Sequence, residues 1–354
     1  MADVTSISWT DHTFAPWFGC TKVSPACDGC YAEHLTATRF GKAKWGPHAE
    51  RVRSAASTWK KPLTWNRAAA RDGTSSFVFC SHLSDVFDNQ VPPEWRAELF
   101  DLIRITPNLT WLLLTKRPQN IVKLFAQSLA RPADDPDLRN HWPRNAAVGC
   151  TVVTQAEADR DVPILLKSKL QISPAFAFVS MEPLLEAVGL TRVCLRPRVA
   201  GSPRAGIHLN SLTGRYFESG VPYHGDWDIN GPAPTGPGLA LDWVITGGET
   251  DQGKHMARPS HPDWFRSLRD QCAAAGVAYH HKQNGEWAPV AIVDPDGIVR
   301  GDDIMIWPNG HIGGGTHHQH GGYGSLQRKV GVGRAGRELD GVIHDARPAT
   351  QGAA

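Results

Sequence analysis

Cys20, Cys27 and Cys30 crowd into eleven residues of the run WFGCTKVSPACDGCYAEH, with the spacing C-x6-C-x2-C. Three thiolates on one short loop can ligate three irons of a [4Fe–4S] cluster, leaving the fourth iron open to a small ligand. The same run allows a second chemistry. His34 follows Cys30 by four positions, so Cys20, Cys27, Cys30 and His34 would close a structural Cys3His zinc site. Three free thiols this close together are the least favoured arrangement. A chain of 354 residues buries a core without a metal staple. That weighs toward the cluster, and zinc stays open.

A second set of candidates is polar and follows apolar runs. Ser84 and Asp85, Thr115 and Lys116 with Arg117, Thr154, Glu182, Gly247-Gly248-Glu249, and Lys282-Gln283 each stand just past a β-rich segment. In parallel α/β folds that edge carries the ligand. Helix caps explain part of this pattern, but Glu182 and Glu249 are not needed as caps. Glu182, Glu249 and Lys282 are therefore the candidate catalytic groups.

A third feature is charge. Residues 31–71 hold nine Lys or Arg against Glu33 and Glu50, a surplus of seven in a chain of net charge +2. Trp45, Trp59 and Trp65 are interleaved. Basic groups bind phosphates and indoles stack on bases, so residues 39–71, including Lys60 and Lys61, point to a nucleic acid or nucleotide. A solvated positive face with its tryptophans turned inward is the equal alternative.

These residues need a frame. The runs FVFCSHL (77–83), WLLLT (111–115), AAVGCTVV (146–153), FAFVSMEPL (176–184), LDWVITGGE (241–249) and VAYHHKQ (277–283) are apolar almost throughout, as strands covered on both faces are. Helix-like stretches separate most of them, such as HPDWFRSLRDQCAAAG with Trp264, Leu268 and Cys272 on one face. With the segment before Cys20 this gives about seven strands. The expected fold is α/β, a partial or complete parallel βα barrel with irregular insertions. It would occupy residues 1–290, with an extension at 291–354.

Two stretches break the pattern. Residues 197–238 contain fourteen Gly or Pro and read as an inserted loop. Residues 308–324, NGHIGGGTHHQHGGYGS, read as a glycine-rich surface loop, in which His317, His318 and His320 offer a transition-metal alternative. MADVTSISWTDH lacks the basic and apolar regions of a signal peptide, and no apolar run approaches a membrane span. Seven cysteines, an odd number, suit a reduced compartment. The expected location is the cytoplasm, with no membrane partner.

The cysteine run, with FVFCSHLSDVF, LLLTKRP, SMEPLL, WVITGGE, HPDWFRSLRDQCAAAGVAYHHKQNGEW and AGRELDG, resembles radical S-adenosylmethionine (SAM) enzymes. More closely, it resembles a phage- and bacteria-associated family of uncharacterised three-Cys-motif proteins. The resemblance implies a [4Fe–4S] cluster on Cys20, Cys27 and Cys30, SAM on its open iron, and a 5′-deoxyadenosyl radical generated with an electron from a donor protein. The usual cysteine spacing in radical SAM enzymes has three residues between the first pair, where this chain has six. The GGE of those enzymes lies at the second strand, whereas Gly247-Gly248-Glu249 comes late. Ser84 and Asp85 then become the partners for the SAM amino group, with Thr115, Lys116, Gly247 and Gly248 as further cofactor contacts. The expected function is a radical SAM-like enzyme of unknown substrate, for which a nucleic acid or nucleotide is the candidate. The alternative is a non-catalytic, zinc-stabilised nucleic-acid-binding protein of phage or mobile-element origin.

Overall fold

The computed structural model describes residues 5–196, 206–218, 221–223, 239–294, 296 and 298–349. Seven parallel strands hydrogen-bond in chain order: β1 (His12–Phe14), β2 (Ser76–Cys80), β3 (Leu109–Thr115), β4 (Ala146–Thr151), β5 (Ala177–Met181), β6 (Trp243–Gly247) and β7 (Ala278–Gln283). The sheet is open between its edge strands β1 and β7, so the barrel is partial. Main helices follow β2, β3, β4 and β6: α2 (Pro93–Arg104), α3 (Ile121–Ser128), α4 (Gln155–Ile172) and α5 (Pro262–Ala275), while α1 (Ala56–Asp72) precedes β2. Among the described residues no helix is long and apolar enough to cross a membrane.

The chain forms two compact units. The first comprises Met1–Thr151, Ile164–Val179 and Pro348–Ala354. Its strands run apolar on both faces because both are covered: in β3, LTWLLLT, six of seven residues are buried, and in β4 all six are. Registers are tight, with Val78 opposite Trp111 and Leu113 opposite Val148. Gly149 leaves room for the ring of Phe178, which a Cβ there would approach to 2.6 Å. Phe100, Phe125 and Trp142 pack edge to face with centroids 4.8–5.3 Å apart, a favoured aromatic geometry. Helix α1 stops at Gly73, whose left-handed backbone (φ 64°) returns its N–H to Ala69 and Ala70.

The second unit comprises Val152–Pro163 and Ser180–Arg347. Helix α5 begins with His261, whose side chain accepts from the Asp263 N–H, followed by Pro262 in the first turn, and it ends at Gly276 with φ 70°. Its Trp264, Phe265, Leu268 and Cys272 are buried, the face that the spacing predicts. Residues 291–347 lie in this unit. There, Trp287–Pro289, Ser325–Lys329 and Ile304–Ile306 form a small antiparallel sheet.

The 197–238 stretch differs from a plain loop where it is described. Ile207–Asn210 and Arg215–Glu218 pair antiparallel across a turn at Gly214 (φ 71°), and Val193–Arg196 and Val221–Tyr223 flank them. Short strands of this kind are masked in the sequence by the glycines and prolines around them. The remainder of 197–238 lies outside the described residues.

Candidate functional site

The cysteine loop leaves the first unit's sheet just after β1. Gly19 makes the entry with φ 95°, and a Cβ there would stand 3.2 Å from the Lys44 carbonyl oxygen. Ser24 caps the turn Pro25–Cys27 by accepting from the Ala26 N–H. Cys30 then leads into the helical stretch from Tyr31 to Arg39. Cys20 and Cys27 are buried and Cys30 half-buried.

Cys20 meets a buried polar network from β2 and β3. Arg117, just after β3, donates Nη1–H to Cys20 Sγ at 3.4 Å and to Asp85 Oδ2 at 2.9 Å, and Nη2–H to the Thr21 carbonyl at 2.7 Å. Asp85 also accepts from the Thr115 hydroxyl, from the backbone N–H of Lys116 and from that of Phe87. Thr115 in turn accepts from the Arg117 N–H at 2.9 Å. Beside it, Arg51 pairs with Asp88 at 2.7 Å and reaches Thr21 Oγ1 at 3.0 Å. Arg96, fully buried, ties the intervening loop through the carbonyls of Val86 and Asp88.

Ser84 is committed to the Trp17 carbonyl at 3.0 Å and to Ser81. Asp85 accepts from Thr115, Lys116, Arg117 and Phe87, so of the two expected SAM partners it is Asp85 that holds this network together. Lys116 is half-buried, and its charge acts on Cys30. Burial and then Asp85 push the Cys20 thiol up to about 12, against the pull of Arg117. Burial likewise raises Cys30, opposed by Lys116. Among the described residues no three His, Cys, Asp or Glu side chains are gathered to hold a metal ion, with or without His34. The donor set still fits an anionic thiolate group in its chemistry: three thiols share one strand-end loop, with Arg117 on Cys20 and Lys116 acting on Cys30.

The second unit brings together the other strand-end candidates. Lys282 in β7 donates to Glu182 Oε2, just past β5, at 2.6 Å. Gly247 lies at the end of β6, and a Cβ there would come within 3.1 Å of Glu182 Cγ. Glycine thus lets the carboxylate side chain lie against β6. Gly248 would place a Cβ 2.1 Å from the Asn284 carbonyl oxygen, so it serves close backbone packing. Glu249 is buried under a two-pronged Arg258 contact at 2.6 and 2.7 Å, the Arg258 N–H, and His255 at 3.0 Å. Those partners hold its carboxyl below the usual carboxylate range, against burial. Glu249 is an anchored ion, whereas Glu182 keeps a buried Oε1 without a hydrogen-bond partner among the described residues.

The basic stretch divides by exposure. Trp65 is buried and stacks on His12 at 4.4 Å. Trp59 meets Phe14 edge-on and lies under Arg53. Trp45 donates to Thr36 Oγ1 at 2.8 Å and packs on the Ala15, Ala32 and Leu83 cluster. The indoles therefore pack into the protein, because a large apolar ring gains more from burial than from water. Arg51 is buried and Arg53 pairs with Glu98. Arg39, Lys42, Lys44, Lys60 and Lys61 are exposed. In the glycine-rich stretch, His317–His320 form one helical turn. His320 stacks on His311 at 4.4 Å and its Nδ1 bonds Asn309 Nδ2 at 3.1 Å, and the His317 side chain lies outside the described residues.

Arg117 stood among the strand-end residues, but its contact with Cys20 was not visible in the sequence. Arg51 was read only as part of the basic stretch, and Asp88, Arg258 and His255 were not singled out at all. Each acts through a partner, and only the fold supplies that partner.

A family described as "Protein of unknown function (DUF5131)" matches residues 4–348. No curated protein and no solved structure matches the chain.

Proposed function

The chain belongs to the DUF5131 family, whose function is unknown, and we propose that it is a radical SAM-type iron–sulfur enzyme acting on a nucleic acid or nucleotide. One observation carries this reading: a three-thiol loop stands at a parallel strand end with a buried arginine donating to its first sulfur. Cys20, Cys27 and Cys30 would hold the [4Fe–4S] cluster. Held there and reduced by a donor protein, the cluster would supply the one-electron chemistry that cleaves SAM to methionine and a 5′-deoxyadenosyl radical.

The chain's own residues do the rest. Asp85 and Thr115 hold Arg117 against Cys20. Lys116, half-buried at the end of β3, is the cation available to a ligand carboxylate. Glu182 and Lys282 form the acid–base pair proposed for proton exchange with substrate, since the Glu249 carboxylate is committed to Arg258 and His255. Arg39, Lys42, Lys44, Lys60 and Lys61 supply the charge that attracts a polyanion. Packed tryptophans leave the recognition electrostatic.

The reading is tested by turnover. Iron-loaded protein, reduced by dithionite under anaerobic conditions, should convert SAM to 5′-deoxyadenosine and methionine. Cys27→Ala should abolish the conversion. Iron-loaded protein that leaves SAM intact, with and without added DNA or RNA, would overturn the assignment.

A further inference from the structure

We infer that Arg117 is a positioning residue that fixes Cys20 and sets the reduction potential of the cluster it ligates, an inference resting on the iron–sulfur reading above. The guanidinium is pinned on several sides. Nη1 serves both Cys20 Sγ at 3.4 Å and Asp85 Oδ2 at 2.9 Å, Nη2 serves the Thr21 carbonyl at 2.7 Å, and the Arg117 backbone N–H is held by Thr115. Arg117 and Asp85 side chains are each only 6% exposed, so water screens the pair little. A planar fork with five N–H groups can bind a sulfur, a carboxylate and a carbonyl at once, which an ammonium cannot.

A charged donor on a ligand sulfur stabilises the electron-rich reduced cluster more than the oxidised one. Arg117 therefore raises the potential, while the nearby Asp85 charge lowers it and aims the guanidinium. The two residues should have opposite effects when neutralised. A residue needed only for packing would have no such signature, since its loss would change stability or iron content with no ordered shift in potential.

The test is a redox titration of the cluster, followed by its electron paramagnetic resonance signal, on reconstituted full-length protein with iron content measured alongside. Arg117→Gln should lower the midpoint potential, Arg117→Lys should fall between it and wild type, and Asp85→Asn should raise it. If Arg117→Gln does not fold or load, the lysine and Asp85→Asn variants still give the two opposite signs. Loaded variants that share the wild-type potential would overturn the role of Arg117 alone. Wild-type protein that takes up no iron would overturn the reading of the loop, and the role of Arg117 with it.

Discussion

His280 and His281 are fully buried in β7, and each imidazole is placed where a positive charge is costly. His281 lies between Thr246 Oγ1 and Asn284 Oδ1 at 3.0 Å each, while Arg337 and His344 oppose a further charge. His280 faces Asp345 on one side and Arg337 on the other. Burial pushes both down to about 4. The unfolded chain takes up protons near the ordinary value of about 6.5, and the folded chain resists until about 4. Stability from these groups is therefore full above about 6.5 and falls as pH drops toward 4, by up to about 3 kcal/mol for each histidine. Melting temperature measured from pH 7.5 to 4 should decline across that window, and His281→Gln should flatten the decline. A flat profile in the wild type would contradict it. At this scale the sequence exposes residue types and conceals their partners. The thiol triplet and the strand-end Glu182 and Lys282 are legible. The pairings join positions 97 residues apart for Arg117 and Cys20, 100 for Lys282 and Glu182, and 37 for Arg51 and Asp88. No local pattern encodes separations like these.

Elements were more legible than partners where burial was one-sided or complete. Strands covered on both faces announce themselves as apolar runs, so β2 to β7 all fall inside the runs read from the sequence or within two residues of them. The hairpin of Ile207–Asn210 and Arg215–Glu218 did not, because each strand is only four residues long and glycine-rich sequence surrounds it. Helix α1 shows how a pattern can mislead. Its lysines and tryptophans are interleaved in sequence but separate on the helix, with Lys60 and Lys61 exposed and Trp65 buried. Both lysines lie at the surface and the buried indole does not. DNA or RNA binding should therefore weaken steeply with salt. Reversing both lysines, Lys60→Glu with Lys61→Glu, should lower affinity about tenfold or more at low salt and flatten the log–log salt slope by about two. Iron content should not change. Absence of binding at low salt, or a slope unaffected by the reversal, would leave these lysines as ordinary surface charge.

Over the whole molecule, seven strands bond in the order in which the chain makes them. Because the strands are all parallel, they end at the same edge of the sheet. That rule lets a sequence with no visible contacts nominate Cys20, Asp85, Thr115, Glu182, Gly247 and Lys282. The fold then sorts them by what surrounds each: Asp85 and Thr115 orient Arg117, Gly247 makes room for Glu182, and the cysteines are the ligand donors proposed. The surplus of seven positive charges in residues 31–71 is sorted in the same way, with Arg51 neutralised in the interior by Asp88. What rests on the cysteine loop is decided by its metal. Protein purified without oxygen should carry about four irons and about four sulfides per chain. Exchanging Cys20, Cys27 and Cys30 together for serine should remove both. One zinc per chain with no iron, under the same anaerobic conditions, would contradict the account.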